Sequence, residues 1–337
     1  MSRPVQKVAF IGATGTLGSH ILKALVGGGY TVTAVQRKES TKSAPSGVAS
    51  VKVDLTNKSE LVSAFKGQDA VISATPNPVF TREKVWIDAA IAASVRRIVP
   101  SKYSTNLENP LARKLPMVKG KAEVRDYITS VIPGTTSTTT WTSINNGPFF
   151  DMCLRFGVLG PNLAQKKAVF HNGGDNMVGA SRLSDIGISV AKVLDAPHFD
   201  ETANQPVYMY STVISERYLT QLASEVTGID FGSVEGGTIP NLDTEQLIRE
   251  ADEKLARGDM SAMFLYYFQM MYGKGYEGDT TQISQSWIER LGLKTMTEDD
   301  LKEAIRAAAK ELGVVNWCLL LAVLPHTSRN ALKYWSN

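Results

Sequence analysis

Through the first 150 positions, short apolar runs rich in β-branched residues alternate with longer stretches in which apolar side chains recur every three or four residues. Residues 5–11 form the first such run, which stops at a glycine-rich turn before residues 17–26 take up helical periodicity. Residues 30–35 and 51–53 read as the second and third strands, 59–65 as a helix, 70–74 as the fourth strand, 81–94 as a helix and 97–100 as the fifth strand. Pro133-Gly134 followed by the β-branched stretch 135–144 predicts a sixth strand. Strands that alternate with helices imply right-handed crossovers and a doubly wound parallel sheet, an α/β fold with both faces covered. Such sheets bind ligands beyond the carboxyl ends of their strands.

The first strand-to-helix turn lies where that rule places a ligand. Gly12-Ala13-Thr14-Gly15-Thr16-Leu17-Gly18 spaces its glycines G-x-x-G-x-x-G. Gly12 can turn sharply out of the strand, Gly15 lets a pyrophosphate approach the backbone, and Gly18 lets the helix pack on the sheet. The free amides at the helix start then receive negative charge. A glycine-rich turn without a ligand is the bland alternative, and the strand before and helix after count against it. Cofactor choice is read at the end of the second strand, where an Asp or Glu would bind both ribose hydroxyls of NAD. Here the chain reads Ala34-Val35-Gln36-Arg37-Lys38, with Lys42 soon after. A guanidinium grips a 2′-phosphate bidentately, so Arg37 and Lys38 predict NADPH, a merely solvated loop being the alternative. Asp54-Leu55 is expected on the adenine side, although an Asp there serves equally as a helix cap.

Composition narrows the class without changing this picture. A charge of +3 comes from 36 basic and 33 acidic residues spread along the chain, with no basic block interleaved with aromatics, so nucleic-acid binding is not expected. Cys153 and Cys318 make neither a disulfide framework nor a metal-ligand spacing, so no metal is expected. With no signal peptide at Met1, the protein reads as cytoplasmic, with no membrane partner.

At this point the chain resembles the atypical short-chain dehydrogenases of the NmrA-like and isoflavone-reductase-like type, especially their fungal members. The resemblance is carried by the Gly12 to Gly18 loop, Val35-Gln36-Arg37, Ile72-Ser73-Ala74-Thr75, Ile98-Val99-Pro100-Ser101, Lys121-Ala122-Glu123-Val124-Arg125, Asn146-Gly147-Pro148-Phe149-Phe150 and Asp185-Ile186-Gly187, in order and over most of residues 5–313. It implies a Rossmann domain with a smaller C-terminal substrate-binding domain, and NADPH as hydride donor. The corresponding division is a Rossmann domain over 1–147, a substrate region over 148–313 partly interleaved with it, and an atypical tail over 314–337. Ala74, Thr75 and Asn146 are implied at the cofactor. A lysine replaces the Tyr-x-x-x-Lys pair of ordinary short-chain dehydrogenases, and no tyrosine here has a lysine four positions later. The K-x-x-x-R segment of the isoflavone-reductase-like proteins matches Lys121 and Arg125, which helical spacing puts on one face.

Lys121 beside a nicotinamide can act as an ammonium that binds ribose hydroxyls and stabilises developing charge, or as an acid or base whose pKa burial lowers; the alternative is a surface lysine among Lys119, Glu123, Arg125 and Asp126 on an alternating-charge helix. The loop Asn146 to Phe150 is implied to line the acceptor pocket, where Pro148, Phe149 and Phe150 suit a flat apolar substrate. A core helix after a turn explains the residues that follow equally well. His171 either donates to a substrate oxygen or is structural. Where many relatives read Pro-Ser-Glu-Phe-Gly, this chain has Pro100-Ser101-Lys102-Tyr103-Ser104, so Lys102 and Tyr103 are either a proton-donating or substrate-orienting pair or a packed loop.

Further on, Ser184 or Asp185 is expected to cap a helix, 244–257 reads as a helix, and 260–272 is a Met and aromatic stripe that forms core, pocket roof or dimer contact. Residues 298–312 form a last amphipathic helix, and the apolar stretch 314–324 is too short to span a bilayer. The leading expectation is an NADPH-dependent reductase of a planar aromatic or polyketide-like carbonyl or enone, acting as monomer or homodimer. Its competitors are a dinucleotide-sensing regulator without turnover and a redox-neutral isomerase, cyclase or lyase.

Overall fold

The computed structural model describes residues 4–76, 82–135, 137–232 and 238–314. The readings made for residue 81, for Cys318 and for the tail beyond Val314 lie outside them.

The chain divides into two compact units. The first comprises the described residues of Met1–Phe150, Val178–Val213 and Thr244–Thr295; the second comprises those of Asp151–Met177 and Ile214–Asp243, and those from Met296 on. The first unit thus includes two segments that follow residue 150 in the chain.

The first unit is built on a seven-stranded sheet. Its strands in chain order are β1 (Lys7–Ile11), β2 (Thr31–Arg37), β3 (Ala49–Val53), β4 (Ala70–Ser73), β5 (Arg97–Val99) and β6 (Thr140–Asn145). The seventh, β11 (Gln205–Tyr208), follows four short strands: β7 (Pro161–Asn162), β8 (Lys167–Ala168), β9 (Phe170–His171) and β10 (Val178–Ala180). The spatial order is β11-β6-β5-β4-β1-β2-β3, and every pairing is parallel. β4 and β5 are buried at every residue and β1 at four of five, as a sheet covered on both faces requires. The connections run outward from β1 to β3 and then, from β4, in the other direction. The carboxyl ends of β1 and β4 therefore flank a topological switch point.

Helices α2 (Lys58–Phe65), α3 (Glu83–Ala92) and α4 (Lys119–Val131) share one apolar cluster with the sheet. Leu61, Phe65, Trp86, Ile87 and Ile128 meet Ile11, Val71 and Ile98 there. α1 (Thr16–Gly27) and α6 (Leu183–Lys192) stay out of that cluster and pack on each other. Their contact is close at Gly187, where a Cβ would lie 2.6 Å from the His20 carbonyl oxygen.

Several elements depart from the sequence reading for local reasons. β6 begins at Thr140 because β5 starts only at Arg97, so the earlier threonines have no ladder to join; Thr139 Oγ1 instead bonds the Val95 carbonyl at 2.6 Å. α3 stops short of Ser94, which leaves the helix with φ +58°. α6 starts at Leu183 with Arg182 at its N-cap and no side-chain cap, so Ser184 and Asp185 fall inside its first turn; the Asp185 carboxylate is engaged by Arg182 Nε at 2.8 Å and by Ser211 Oγ. The aromatic stripe divides into a 3₁₀ turn over Met260–Phe264 and the helix α10 (Leu265–Tyr272). Tyr266 and Met270 join Leu107, Leu115 and Val118 in a second core, while Met260 and Phe264 stay exposed.

Within the second unit, α8 (Glu216–Thr227) is capped by Ser215 and ends in a left-handed Gly228. It packs on α12 (Glu298–Glu311), whose start is a capping box of Thr297 and Asp300.

Candidate functional site

The glycine loop forms a cradle against β4. Gly12 leaves β1 with φ +91°, and a Cβ on it would lie 2.2 Å from the Ala74 carbonyl oxygen. A Cβ on Gly18 would lie 1.9 Å from the Gly12 carbonyl oxygen, so neither position accepts another residue without moving backbone. The Gly15 amide closes the turn onto Gly12 O at 3.0 Å, and Gly15 is the N-cap of α1 without a side-chain cap. The first-turn amides of Thr16, Leu17 and Gly18 have no intrahelical acceptor, which leaves the positive end of the helix dipole facing the crevice. A cavity of about 410 Å³ opens there, lined by Gly12, Thr14, Gly15, Leu55, Ala74 and Thr75 from the loop and strand ends.

At the far side of this cavity the end of β2 brings Arg37 and Lys42 to the wall, both exposed. Gln36 Nε2 holds the intervening loop by donating to Lys42 O at 2.8 Å. Lys38, expected beside Arg37, is turned instead to Glu60 (Nζ to Oε1 2.7 Å) and does not line the cavity. Asp54 also lies off the wall. Its Oδ1 accepts from the amide and hydroxyl of Thr56 at 2.8 and 2.6 Å in a local turn, while the cap of α2 is Asn57. Arg82 and Trp86 also line the wall, and no motif in the sequence points to either. Trp86 is fixed by donating Nε1 to the Leu55 carbonyl at 2.8 Å.

A second group of polar side chains lies beyond the ends of β4 and β5. Glu83, the first residue of α3, is buried. Its Oε1 accepts from Ser73 Oγ at 2.8 Å and from the Ser101 amide at 3.0 Å. Lys102 is 1% exposed, and its Nζ has no hydrogen-bond partner among the described residues. Lys121, half-buried on α4, donates from Nζ to the Tyr103 carbonyl at 2.7 Å. Burial raises the Glu83 pKa to about 7, lowers that of Lys102 to about 6 and lowers that of Lys121 to about 8, with the carboxylate opposing the last two shifts. Burial also pushes the Tyr103 hydroxyl up. Arg125, the residue paired with Lys121 in the sequence pattern, is engaged elsewhere: it reaches Glu108 at 2.7 Å and Ser143 at 3.1 Å and lies over the Trp141 ring. Sequence reasoning singled out Lys102 and Lys121 but not Glu83, which reads as an ordinary acidic residue in the first turn of a helix.

The amine of Lys102 has a consequence for stability. The unfolded chain keeps a proton up to about pH 10.5 that the folded chain gives up from about pH 6. Stability therefore rises with pH between those values, by on the order of 1 kcal/mol per pH unit. Glu83 works in the opposite sense only below about pH 7, where the folded chain keeps a proton that the unfolded chain loses. The melting temperature is thus expected to be higher at pH 9 than at pH 7.5, and Lys102→Met to flatten that rise; scanning calorimetry at the two pH values checks it.

At the end of β6, Asn146 is fully buried, with Nδ2 donating to Gly147 O at 2.8 Å and Oδ1 without a hydrogen-bond partner. Gly147 has φ +62°, and a Cβ there would lie 2.0 Å from the Gly179 carbonyl oxygen. Pro148 is buried and Phe149 half-buried, while Phe150 at 0% exposure is core. His171 belongs to the second unit, buried, with Nδ1 2.7 Å from Glu216 Oε1 and its amide donating to Oε2 at 2.6 Å. Among the described residues, no helix is long and apolar enough to cross a membrane, and no group of three or more His, Cys, Asp and Glu side chains is arranged to hold a metal ion.

Comparison with known proteins places this geometry among relatives. The sequence profile of the NmrA-like family matches residues 4–289. Oxidoreductase aprR of Aspergillus flavus is 30% identical over 303 residues, which cover 89% of this chain and 98% of that protein. Among solved structures, AtPrR2 with NADP+ and (+)-pinoresinol superposes with a TM-score of 0.66 at 19% identity, covering 90% of this chain and all of its own. An isoflavone reductase gives the same TM-score of 0.66 at 20% identity, covering 88% of this chain and 98% of its own. At such identities the structural likeness carries the fold.

Proposed function

The chain belongs to the NmrA-like family, and from that premise we propose that it is an NADPH-dependent reductase acting on a planar aromatic or polyketide-like carbonyl or enone of secondary metabolism, with Lys121 assisting the proton transfer. The observation that carries the reading is the cradle at the switch point: two glycines with no room for a Cβ, the uncapped start of α1, and a cationic wall at the end of β2. The name of the fungal relative, an oxidoreductase, and the NADP+ in the AtPrR2 structure support it.

The residues fit such a dinucleotide. The amides of Thr16 to Gly18 would receive the pyrophosphate, and Arg37, with Lys42 on the same wall, would pair with the 2′-phosphate. Leu55, Ala74 and Thr75, which also line the cavity, would meet the adenine and ribose. The buried Oδ1 of Asn146 and Oγ1 of Thr75 have no hydrogen-bond partner among the described residues, as expected of groups that meet a polar ligand. When bound, the cofactor supplies the hydride. Lys121 supplies the proton as an ammonium, its N–H bond breaking as the substrate O–H bond forms. Pro148 and Phe149 contribute the apolar surface beside the reacting centre, and Tyr103 contributes its backbone carbonyl, which holds the lysine.

Two measurements test the reading. Purified protein mixed with NADPH and a panel of aromatic ketones, enones and quinones is expected to oxidise the cofactor, read by loss of absorbance. Tight NADPH binding with no oxidation across the panel would favour the regulator instead. Arg37→Ala is expected to weaken NADPH binding by about tenfold or more, the loss of one charge-assisted pair, with NADH binding little changed. Equal losses for the two cofactors, measured by calorimetry, would refute the clamp.

A further inference from the structure

Ser101, Lys102 and Tyr103, which follow β5, hold a carboxylate at one end and an amine at the other. The Ser101 amide donates to Glu83 Oε1 at 3.0 Å, and the Tyr103 carbonyl accepts from Lys121 Nζ at 2.7 Å. Between them stands the buried Lys102, whose Nζ has no hydrogen-bond partner among the described residues; Glu83 Oε2 likewise has none. One buried carboxylate compensates one ammonium, and a second cation without a partner would be left uncompensated in a region of low dielectric. The ammonium belongs where an acceptor awaits it, and that is Lys121 on Tyr103 O.

We propose that Glu83 is the positioning counter-ion of Lys121, and that Lys102 is held alongside as a neutral amine, so that the three side chains form one coupled proton-carrying unit behind the reacting centre. This rests on the reading of Lys121 as the proton donor. When the Lys121 proton passes to a substrate oxygen, the lysine is left as a neutral amine and Glu83 without its compensating charge, which draws a proton from solvent back to Lys121. The charged and titratable groups that face this unit agree with it. From α4, Arg125 repels a charge on Lys102, as does Arg113 from the 3₁₀ turn Ala112–Lys114, and the Tyr103 hydroxyl stays un-ionised. The directions of the three pKa values, carboxyl up and both amines down, follow from the shared burial.

The test uses the full chain with lysines labelled at ¹³Cε. Titration followed by NMR needs neither substrate nor cofactor, and Lys102→Met and Lys121→Met assign the two signals. Two lysine signals are expected to titrate well below the remainder, that of Lys102 lower. Glu83→Gln keeps the acceptor for Ser73 and Ser101, so the local backbone is retained. It is expected to move the Lys121 titration down by about one to three pH units, and the alkaline limb of kcat with it. A Lys102 signal titrating with the bulk lysines would overturn the proposal, as would a Lys121 titration unmoved by Glu83→Gln. A protein that shows no turnover but gives the expected NMR titrations would sink the reductase reading while leaving the coupled unit standing.

Discussion

Lys121→Ala is expected to lower kcat by about 10²- to 10⁴-fold, the usual worth of a positioned acid or base, while the affinity for NADPH stays close to that of the wild type. The separation follows from where the groups lie. The phosphate-binding features are in the Gly12 to Gly18 loop and at Arg37, and Lys121 is not part of that cavity wall. Its Nζ is instead aimed along the segment after β5, held by Tyr103 O. The pH profile adds a sign. The acid form must be present to donate, and burial brings the pKa to about 8, so kcat should fall as pH rises through that value. Lys121→Arg sharpens the result, because a guanidinium keeps the positive charge but gives up no proton near neutrality. If arginine restored the rate, the lysine would be acting by charge alone. An alanine variant with full turnover, in steady-state assays of NADPH oxidation, would move the proton transfer to another group.

The second large effect concerns stability. Arg97 is the first residue of β5 and is 0% exposed, in the middle of the sheet. Its Nε donates to Thr140 Oγ1 at 2.9 Å, and its Nη1 to Thr142 Oγ1 at 2.7 Å and Thr202 Oγ1 at 2.9 Å. Nη2 donates to the Phe199 carbonyl, and the guanidinium lies 4.1 Å from the Phe199 ring centroid. Burial lowers its pKa to about 10, which leaves it charged at neutral pH. Methionine would fill much of the volume but remove the donor from the Phe199 carbonyl and from three threonine hydroxyls. These hydroxyls keep only the bonds they donate, to the Arg96, Thr202 and His198 carbonyls, and each buried acceptor left unsatisfied costs about 1–3 kcal/mol. Arg97→Met is therefore expected to cost about 3–5 kcal/mol and to lower the melting temperature by roughly 10 °C. Urea unfolding followed by circular dichroism measures this, and an unchanged midpoint would show that the network adds nothing over packing.

What could be read from the sequence follows from how local each signal is. β1 and β4 were legible because a parallel strand buried on both faces reads as an apolar run, and the loop because Gly15 and Gly18 answer to Gly12, a few residues away. The contact of Gly12 with Ala74 and the burial of Arg97 in β5 have no such local signature. Nor was β11 legible. It is an edge strand carrying Pro206, which only an edge position tolerates, and its pairing with β6 brings together residues 142–145 and 205–208. The site shows the same limit. Lys121 and the loop carry family spacing, whereas the burial of Glu83 depends on Ser73 and Ser101, 10 and 18 residues away. Lys38 read as a phosphate ligand by proximity to Arg37, but Glu60, 22 residues on, has it. A charged side chain in a loop does not reveal its partner until the fold brings the partner to it.

The late arrival of β11 also bears on how the protein is made. As the chain leaves the ribosome from its N-terminus, β6 is synthesised with one edge open, and neither Thr142 nor Asn145 gains its partner until Gln205 to Tyr208 have emerged. Val193, Phe199 and Thr202, which receive the Arg97 guanidinium, arrive in the same stretch. At about 5–20 residues per second, the nascent sheet spends several seconds with an exposed edge and with Arg97 still lacking these partners. In that interval the growing protein depends most on chaperones, and a premature stop before residue 208 would leave a chain disposed to pair with its neighbours rather than with itself.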